Sequence, residues 1–444
     1  MSSTLGGEKP STFPRYLVEK EALLVLGVAL AARLVFLLLQ DPLALYEGGD
    51  GPYYVRQAWL LANGGLEHPL TTAGPLYPLF LATVWLAFPS APMPDAAGVP
   101  LGFLFIVRLG NVLASGWTVL LVYGLVRQLG VGRRSGMLAA LAVGLGPAFV
   151  IEPFYLRTET FFVLLLTAAC WLYLRAQREA SIARLAASGA VLGLATLTRP
   201  VALPLVLLLG GHWLMTHGRR SGRAQIAALL AGLLVIVVPW VAYLRAETAY
   251  FTPEGFGSNL WIGASGDGTW QGTFPTAERS LAFGGTRDDY LPEVARLIGS
   301  DPLGWLRLRA GNLAQAVLVP HGVNDIGGPS LKVLAAAWAQ ADRSWTGLLA
   351  IIGLPSFVPK LIIYLFHMAA LGLGVLGLVS FWPAWRTAGP VMLIPAYFLL
   401  VHFFLTAQPR YLFPAEAFLW VLAGGAVQRL MERRATVIGP VSAD

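Results

Sequence analysis

Two carboxylates, Glu47 and Asp50, stand directly after the first long apolar run, in Tyr46-Glu-Gly-Gly-Asp50-Gly-Pro-Tyr53-Tyr54-Val-Arg56. A carboxylate within hydrogen-bond reach of a hydroxyl can take its proton as the oxygen attacks, so both are candidate general bases. An aspartate just ahead of Pro52 is also an ordinary helix start, and on that count alone Asp50 is an N-cap. A third acid, Glu159, opens another apolar run, where the helix dipole favours a negative charge without further cause. Arginines recur at similar places: Arg157, Arg199 and Arg410 border apolar runs, and Arg56 follows Asp50. A guanidinium fork can grip an oxyanion there, although an arginine at a helix end more commonly reaches for water.

Other chemistries lack their residues. No H-E-x-x-H, paired histidines or acidic cluster of metal-ligand spacing occurs, and the Asp-Asp at 288–289 stands beside Tyr290 without a partner, so no metal or other cofactor is implied. Gly263-Ala-Ser-Gly-Asp-Gly268 lacks the Gly-Lys-Ser/Thr of a phosphate-binding loop. No soluble nucleotide-binding domain accompanies it, which argues against a nucleotide-sugar donor. Glu152 and the lone His68 carry no pattern that assigns them a role. The single cysteine, Cys170, lies inside an apolar run and excludes an intrachain disulfide framework.

The elements that must position these residues are membrane helices. Of 444 residues, 56% are hydrophobic and 12% charged, where a soluble domain carries about a quarter charged. The net charge of +7 comes from short basic clusters between apolar runs, which read as loop anchors and not as a nucleic-acid face. The segment 1–16 is polar, and no small-residue cleavage site closes the apolar run that follows it, so that run is a retained span. Apolar stretches near the ~20 residues that cross a bilayer recur at 22–40, 103–126, 135–151, 158–174, 185–198, 200–215, 224–244, 360–381, 388–406 and 411–428. The expected fold is therefore all-α and polytopic, with about ten transmembrane helices. With that count the clusters at Arg127–Arg134, Arg175–Arg184, Arg219–Arg223 and Arg429–Arg434 share one side with Arg15 and Lys20, as the positive-inside rule requires. The run 75–88 is short for a span, and crossing would put the Arg127 cluster outside, so it is re-entrant or interfacial. The organisation is then a cytoplasmic 1–21, a transmembrane core 22–244 that includes a first outer loop 41–102, a second outer loop region 245–356 with amphipathic pieces, C-terminal helices 357–428, and a cytoplasmic tail 429–444. Close-spaced Gly and Ala through 136–146 and 186–195 suit tight helix packing in lipid.

Asp50-Gly-Pro-Tyr-Tyr54, an Ala/Leu helix, a Gly-Gly and then Ala73-Gly-Pro-Leu-Tyr77-Pro-Leu-Phe resemble the first outer loop of GT-C membrane glycosyltransferases, in the branch of dolichyl-phosphate-mannose protein mannosyltransferases and aminoarabinose transferases. Further similar segments follow in order: Tyr155-Leu-Arg-Thr-Glu159, Leu197-Thr-Arg199-Pro200, Gly257-Ser-Asn259-Leu-Trp261-Ile-Gly263 and Gln408-Pro-Arg410-Tyr411. The resemblance implies an inverting hexosyl- or pentosyltransferase of the bacterial inner membrane, taking a monosaccharide from a polyprenyl-phosphate carrier to an envelope acceptor at the outer face. It assigns the catalytic carboxylate to Asp50, with Glu47 and Glu159 as further acidic candidates. Arg199, Arg410, Arg157 and Arg56 become candidates for the donor phosphate, and Tyr53, Tyr54, Tyr77, Asn259, Trp261 and Tyr411 for substrate contact. Two departures stand out. Gly51 replaces the glutamate that usually follows the aspartate, and Ala73-Gly74 replaces a lysine that in aminoarabinose-type enzymes is thought to contact the donor phosphate, which counts against lipid A as acceptor. The rival readings are a transporter or flippase of lipid-linked sugars, which would need ionisable residues within the spans where the sequence shows almost none, and a non-enzymatic envelope assembly factor.

Overall fold

Long apolar runs become helices because a backbone in lipid must satisfy its polar groups within the segment. The computed structural model describes residues 15–41, 43, 50–64, 70–71, 73–89, 93–94, 98–253, 255–265 and 289–438, and among these no strand occurs. Through the membrane core run α1 (Lys20–Leu39), α4 (Leu101–Gln128), α5 (Arg133–Leu145), α6 (Pro147–Ile151), α7 (Glu159–Glu179), α8 (Ile182–Thr198), α9 (Leu205–His217) and α10 (Arg219–Thr248). Between α1 and α4 lie the short α2 (Gly51–Ala62) and α3 (Leu76–Trp85). After α10 come α11 (Gly255–Ala264), α12 (Tyr290–Ser300), α13 (Pro302–Leu318), α14 (Leu331–Ala337) and α15 (Trp345–Ile352). The long α16 (Phe357–Phe381), α17 (Trp385–Phe404) and α18 (Pro409–Ile438) close the chain.

Each of the ten apolar stretches coincides with a helix or with the broken pair α5–α6. By length and composition alone, six helical stretches, or seven with that pair, qualify to cross a membrane. The longest of the six, Phe357–Phe404, is α16 and α17 together. A count of ten needs the 17-residue Ile182–Thr198 and the more charged α18 to cross as well. Leu76–Trp85, at 10 residues, spans about 15 Å of helix and is too short to cross; it packs on α2 and α4.

The ends of the bundle are distinct. At one, Arg127 lies 3.5 Å from Glu19, Arg175 pairs with Glu179 at 2.8 Å, and Gln428 accepts the Gly132 N–H at 2.5 Å. At the other gather α2, α3 and the helices of the 245–356 region.

The spans hold more buried ionisable groups than the sequence reading expected, and this corrects it: Arg33, Arg108, His212, Lys360, His402 and Glu416 are all buried. Several serve the backbone. α5 and α6–Phe154 meet at a 57° bend where Gly146 is followed by Pro147, which has no N–H to give to the preceding turn. Arg33 fills that gap, donating to Gly144 O at 2.7 Å, Phe149 O at 3.0 Å and Val143 O at 3.5 Å, with its Nε on Ser115 Oγ at 2.9 Å. Arg108 donates to Phe154 O at 3.0 Å, and Asn111 to Pro153 O at 2.9 Å. The unwound stretch just before Glu159 is thereby fixed from within the membrane core.

Small residues set the α8–α10 contact as their spacing suggested. A Cβ on Gly189 would sit 1.9 Å from Leu229 O, and one on Gly232 2.0 Å from Ala186 O. Gly189→Val must push the helices apart, so thermal unfolding in detergent is expected to show a loss of at least about 1–3 kcal/mol. Gly211→Ala, where nothing lies within 4 Å of the added carbon, is the control that leaves the melting temperature unchanged. Cys170 is buried in the main hydrophobic core.

Candidate active site

Four residues far apart in sequence meet at the loop-bearing end. Asp50 precedes α2, Glu159 is the first residue of α7, Arg199 follows α8, and Arg410 stands in the first turn of α18. Arg199 has left the helix for an extended conformation, φ −144° and ψ 115°, as the following Pro200 favours. Its Nη1 donates to Glu159 Oε1 at 2.7 Å. Arg410 donates from Nε to that same oxygen and from Nη2 to Asp50 Oδ2. One carboxylate oxygen thus anchors two guanidiniums, and the second guanidinium carries Asp50.

Exposure separates the two acids. The Glu159 side chain is 0% exposed and that of Asp50 40%. Glu159 cannot reach a ligand, whereas Asp50 can. The N-cap reading of Asp50 fails: its backbone is in the helical region and its side chain makes no capping bond. Its carboxylate is turned to Arg410 instead, because a charge-assisted bond to a guanidinium outweighs one to a helix N–H.

The aromatic candidates divide. Tyr411 belongs to the cluster, its ring 4.9 Å from the Arg199 guanidinium and stacked on His402 at 5.4 Å. Tyr54 is buried beside it; burial, then the charges of Asp50 and Glu159, push its phenol up and keep it neutral. Tyr53 packs edge-on against Tyr54. Tyr77 is a core residue, 0% exposed, accepting the Asn111 amide at 3.2 Å. Trp261 is likewise buried between α11 and α12. Asn259 turns its side-chain amide onto Gly255 O at 2.7 Å, while its backbone carbonyl accepts from Thr406 at 3.0 Å. Tyr77, Trp261 and the Asn259 amide are thus built into the protein and do not face the cluster.

Arg157 stacks on Tyr155 at 3.9 Å and lies 3.9 Å from Glu152. Arg56 is on the exposed face of α2 and makes no ion pair among the described residues. Glu47 and His68 lie outside the described residues. Where the resemblance expects a lysine, Ala73-Gly74-Pro75 presses its backbone on the end of α8: a Cβ on Gly74 would lie 2.4 Å from Leu197 O, beside Arg199.

Two spaces adjoin the cluster. A polar cavity of about 380 Å³ is lined by Arg157, Arg410, Gln408, Asn312, Gln315 and the 319–325 turn. An apolar groove of about 710 Å³ runs along α17 and α18, from Pro409 at the loop-bearing end to His212 and Trp385 near the other. Ala316, His321 and Pro409 line both.

Sequence reasoning missed Arg309. Buried in α13, it donates to the carbonyls of Phe403 at 2.7 Å, His402 at 3.0 Å and Leu405, capping α17 just before the turn that delivers Arg410. Burial lowers its pKa to about 10, so it remains a cation at neutral pH. Glu152 was passed over; it is buried and bonded to His321 at 2.6 Å.

The fold and site define a polytopic membrane protein with an arginine–carboxylate centre at one end. Residues 103–243, about a third of the chain, match the model of the family described as dolichyl-phosphate-mannose-protein mannosyltransferase, so the GT-C resemblance is shared by the membrane core. No curated protein matches the chain in sequence. Among solved structures it is similar to the oligosaccharyltransferase of Archaeoglobus fulgidus tethered to an acceptor peptide, with TM-score 0.48 and 14% identity over 96% of this chain and 52% of that one. The chain therefore spans about half the length of that enzyme. It is also similar to ArnT of Cupriavidus metallidurans bound to undecaprenyl phosphate, with TM-score 0.40 and 16% identity over 92% of this chain and 77% of that one. The apo state of ArnT gives a TM-score of 0.37 at the same identity and coverage.

Proposed function

We propose that this chain is an inverting glycosyltransferase that moves a monosaccharide from a polyprenyl-phosphate carrier to an envelope acceptor at the outer face of a bacterial inner membrane. The observation that carries this reading is the half-exposed Asp50 carboxylate held by Arg410, which itself lines a polar cavity that shares a wall with an apolar groove. A polyprenyl chain fits the groove and its phosphate the junction. An acceptor hydroxyl attacks the anomeric carbon on the face opposite the phosphate and gives its proton to Asp50. Charge then develops on the leaving phosphate, where the cationic rim of the cavity stabilises it. Glu159, without access to substrate, fixes the two arginines. The arginine-rich end of the bundle faces the cytoplasm in this reading.

The test is transfer of labelled sugar from a panel of polyprenyl-phosphate monosaccharides in proteoliposomes. Product of inverted anomeric configuration is the expected result. Carrier movement between leaflets without transfer would favour a flippase, the rival that the buried His367–Glu416 pair lining the groove (3.3 Å) keeps in play.

A further inference from the structure

His321 stands on the wall between groove and cavity, and it is the one titratable side chain that lines both spaces among the described residues. It is 6% exposed, and its Nε2 bonds to Glu152 Oε2 at 2.6 Å. A carboxylate on one ring nitrogen fixes the tautomer and the ring plane. The other nitrogen, Nδ1, makes no hydrogen bond among the described residues. Glu152 is also 3.9 Å from Arg157 Nη1, on the cavity wall.

The main cluster is already matched in charge. Arg199 and Arg410 are matched by Glu159 and Asp50, leaving no net charge for an incoming anion. With both ring nitrogens protonated, His321 and Arg157 share the single carboxylate of Glu152. Asp325 lines the same cavity at the edge it shares with a second groove, beside Phe36 and Ile362, so an anion is held to the His321 side. Behind His321, across a space of about 10 Å³, stand His367 and Glu416, a pair that neutralises itself when His367 is protonated.

We propose that His321, oriented by Glu152, contacts the phosphate of the lipid carrier and acts as general acid toward it; this presupposes the glycosyltransferase reading above. The acceptor oxygen forms its bond to the anomeric carbon and its proton goes to Asp50. The bond from that carbon to the phosphate oxygen breaks with its electron pair on the phosphate. The Nδ1–H proton of His321 passes to the phosphate, and the carrier leaves as a monoanion. His321 then regains a proton from water as Asp50 releases one. Glu152 is a positioning residue.

The test compares binding of a polyprenyl phosphate and of the matching polyprenol to the detergent-purified full chain. Polyprenol reports the groove alone, and the ratio of the two affinities reports the phosphate. The wild type is expected to prefer the phosphate, and His321→Ala to lower that preference roughly ten- to a hundredfold while polyprenol affinity is unchanged. Glu152→Gln is expected to fall between, and His321→Gln, which keeps a donor, to restore part of the binding preference but not kcat. An unchanged preference in His321→Ala, or equal losses for both ligands, overturns the role of His321 and leaves the glycosyltransferase reading standing. A wild type that does not distinguish the ligands overturns both.

Discussion

Asp50→Asn is expected to lower kcat for sugar transfer by about a hundredfold or more, the usual scale for loss of a general base, with folding and insertion unchanged. The amide keeps the size and shape of the side chain and can still accept a hydrogen bond from Arg410 through its oxygen. Arg410 does not become an unpaired buried charge, because Glu159 still accepts from its Nε. The substitution therefore isolates proton acceptance from placement, which an alanine would confuse. The measurement is single-turnover transfer of labelled sugar in proteoliposomes at saturating donor, with carrier affinity measured beside it. A fall in rate at unchanged affinity marks Asp50 as the base. An unchanged rate would move the base to Glu47, three residues earlier, since the buried Glu159 has no access to a hydroxyl.

The four-residue centre shows what a sequence carries and where it stops. Each member was legible as a type at a helix end, because charged residues beside apolar runs are conspicuous. Their pairing was not: Arg410 and Asp50 are 360 residues apart, and only the packing of α7, α8 and α18 brings them together. The cap reading of Asp50 failed for the same reason, since local statistics contain no Arg410. Tyr77 and Trp261 looked like ligand contacts by motif, yet large aromatics on short helices packed against the core are what those helices bury. Arg33 went unremarked because a lone arginine in a long apolar helix has no visible partner. Its partners are carbonyls that a glycine–proline break frees in another helix over 100 residues on. Helices and the amphipathic loop pieces were readable because each rests on local periodicity and length.

Glu159→Gln is expected to be the more damaging change to the protein as a whole. Glu159 is wholly buried, and one of its oxygens accepts from both Arg199 and Arg410. Removing its charge leaves two guanidiniums facing each other, with only the half-exposed Asp50 to balance them. Breaking a buried ion pair by deleting one partner costs about 3–5 kcal/mol, a large share of the stability of an ordinary domain. Thermal unfolding in detergent should show that loss, and transfer should fail even at temperatures where the variant stays folded, because Arg410 no longer holds Asp50 in place. Arg199→Gln alone is expected to cost less, since Glu159 keeps Arg410. Adding Arg199→Gln to Glu159→Gln should recover part of the lost stability, because it removes one of the uncompensated charges. That non-additivity measures the coupling. If the two substitutions simply add, the carboxylate is not the shared counterion of the two arginines, and the arrangement of the centre must be different. Recovery of stability without recovery of transfer is the expected outcome, because Asp50 needs Arg410 anchored in one direction and the glutamine gives that anchor no charge.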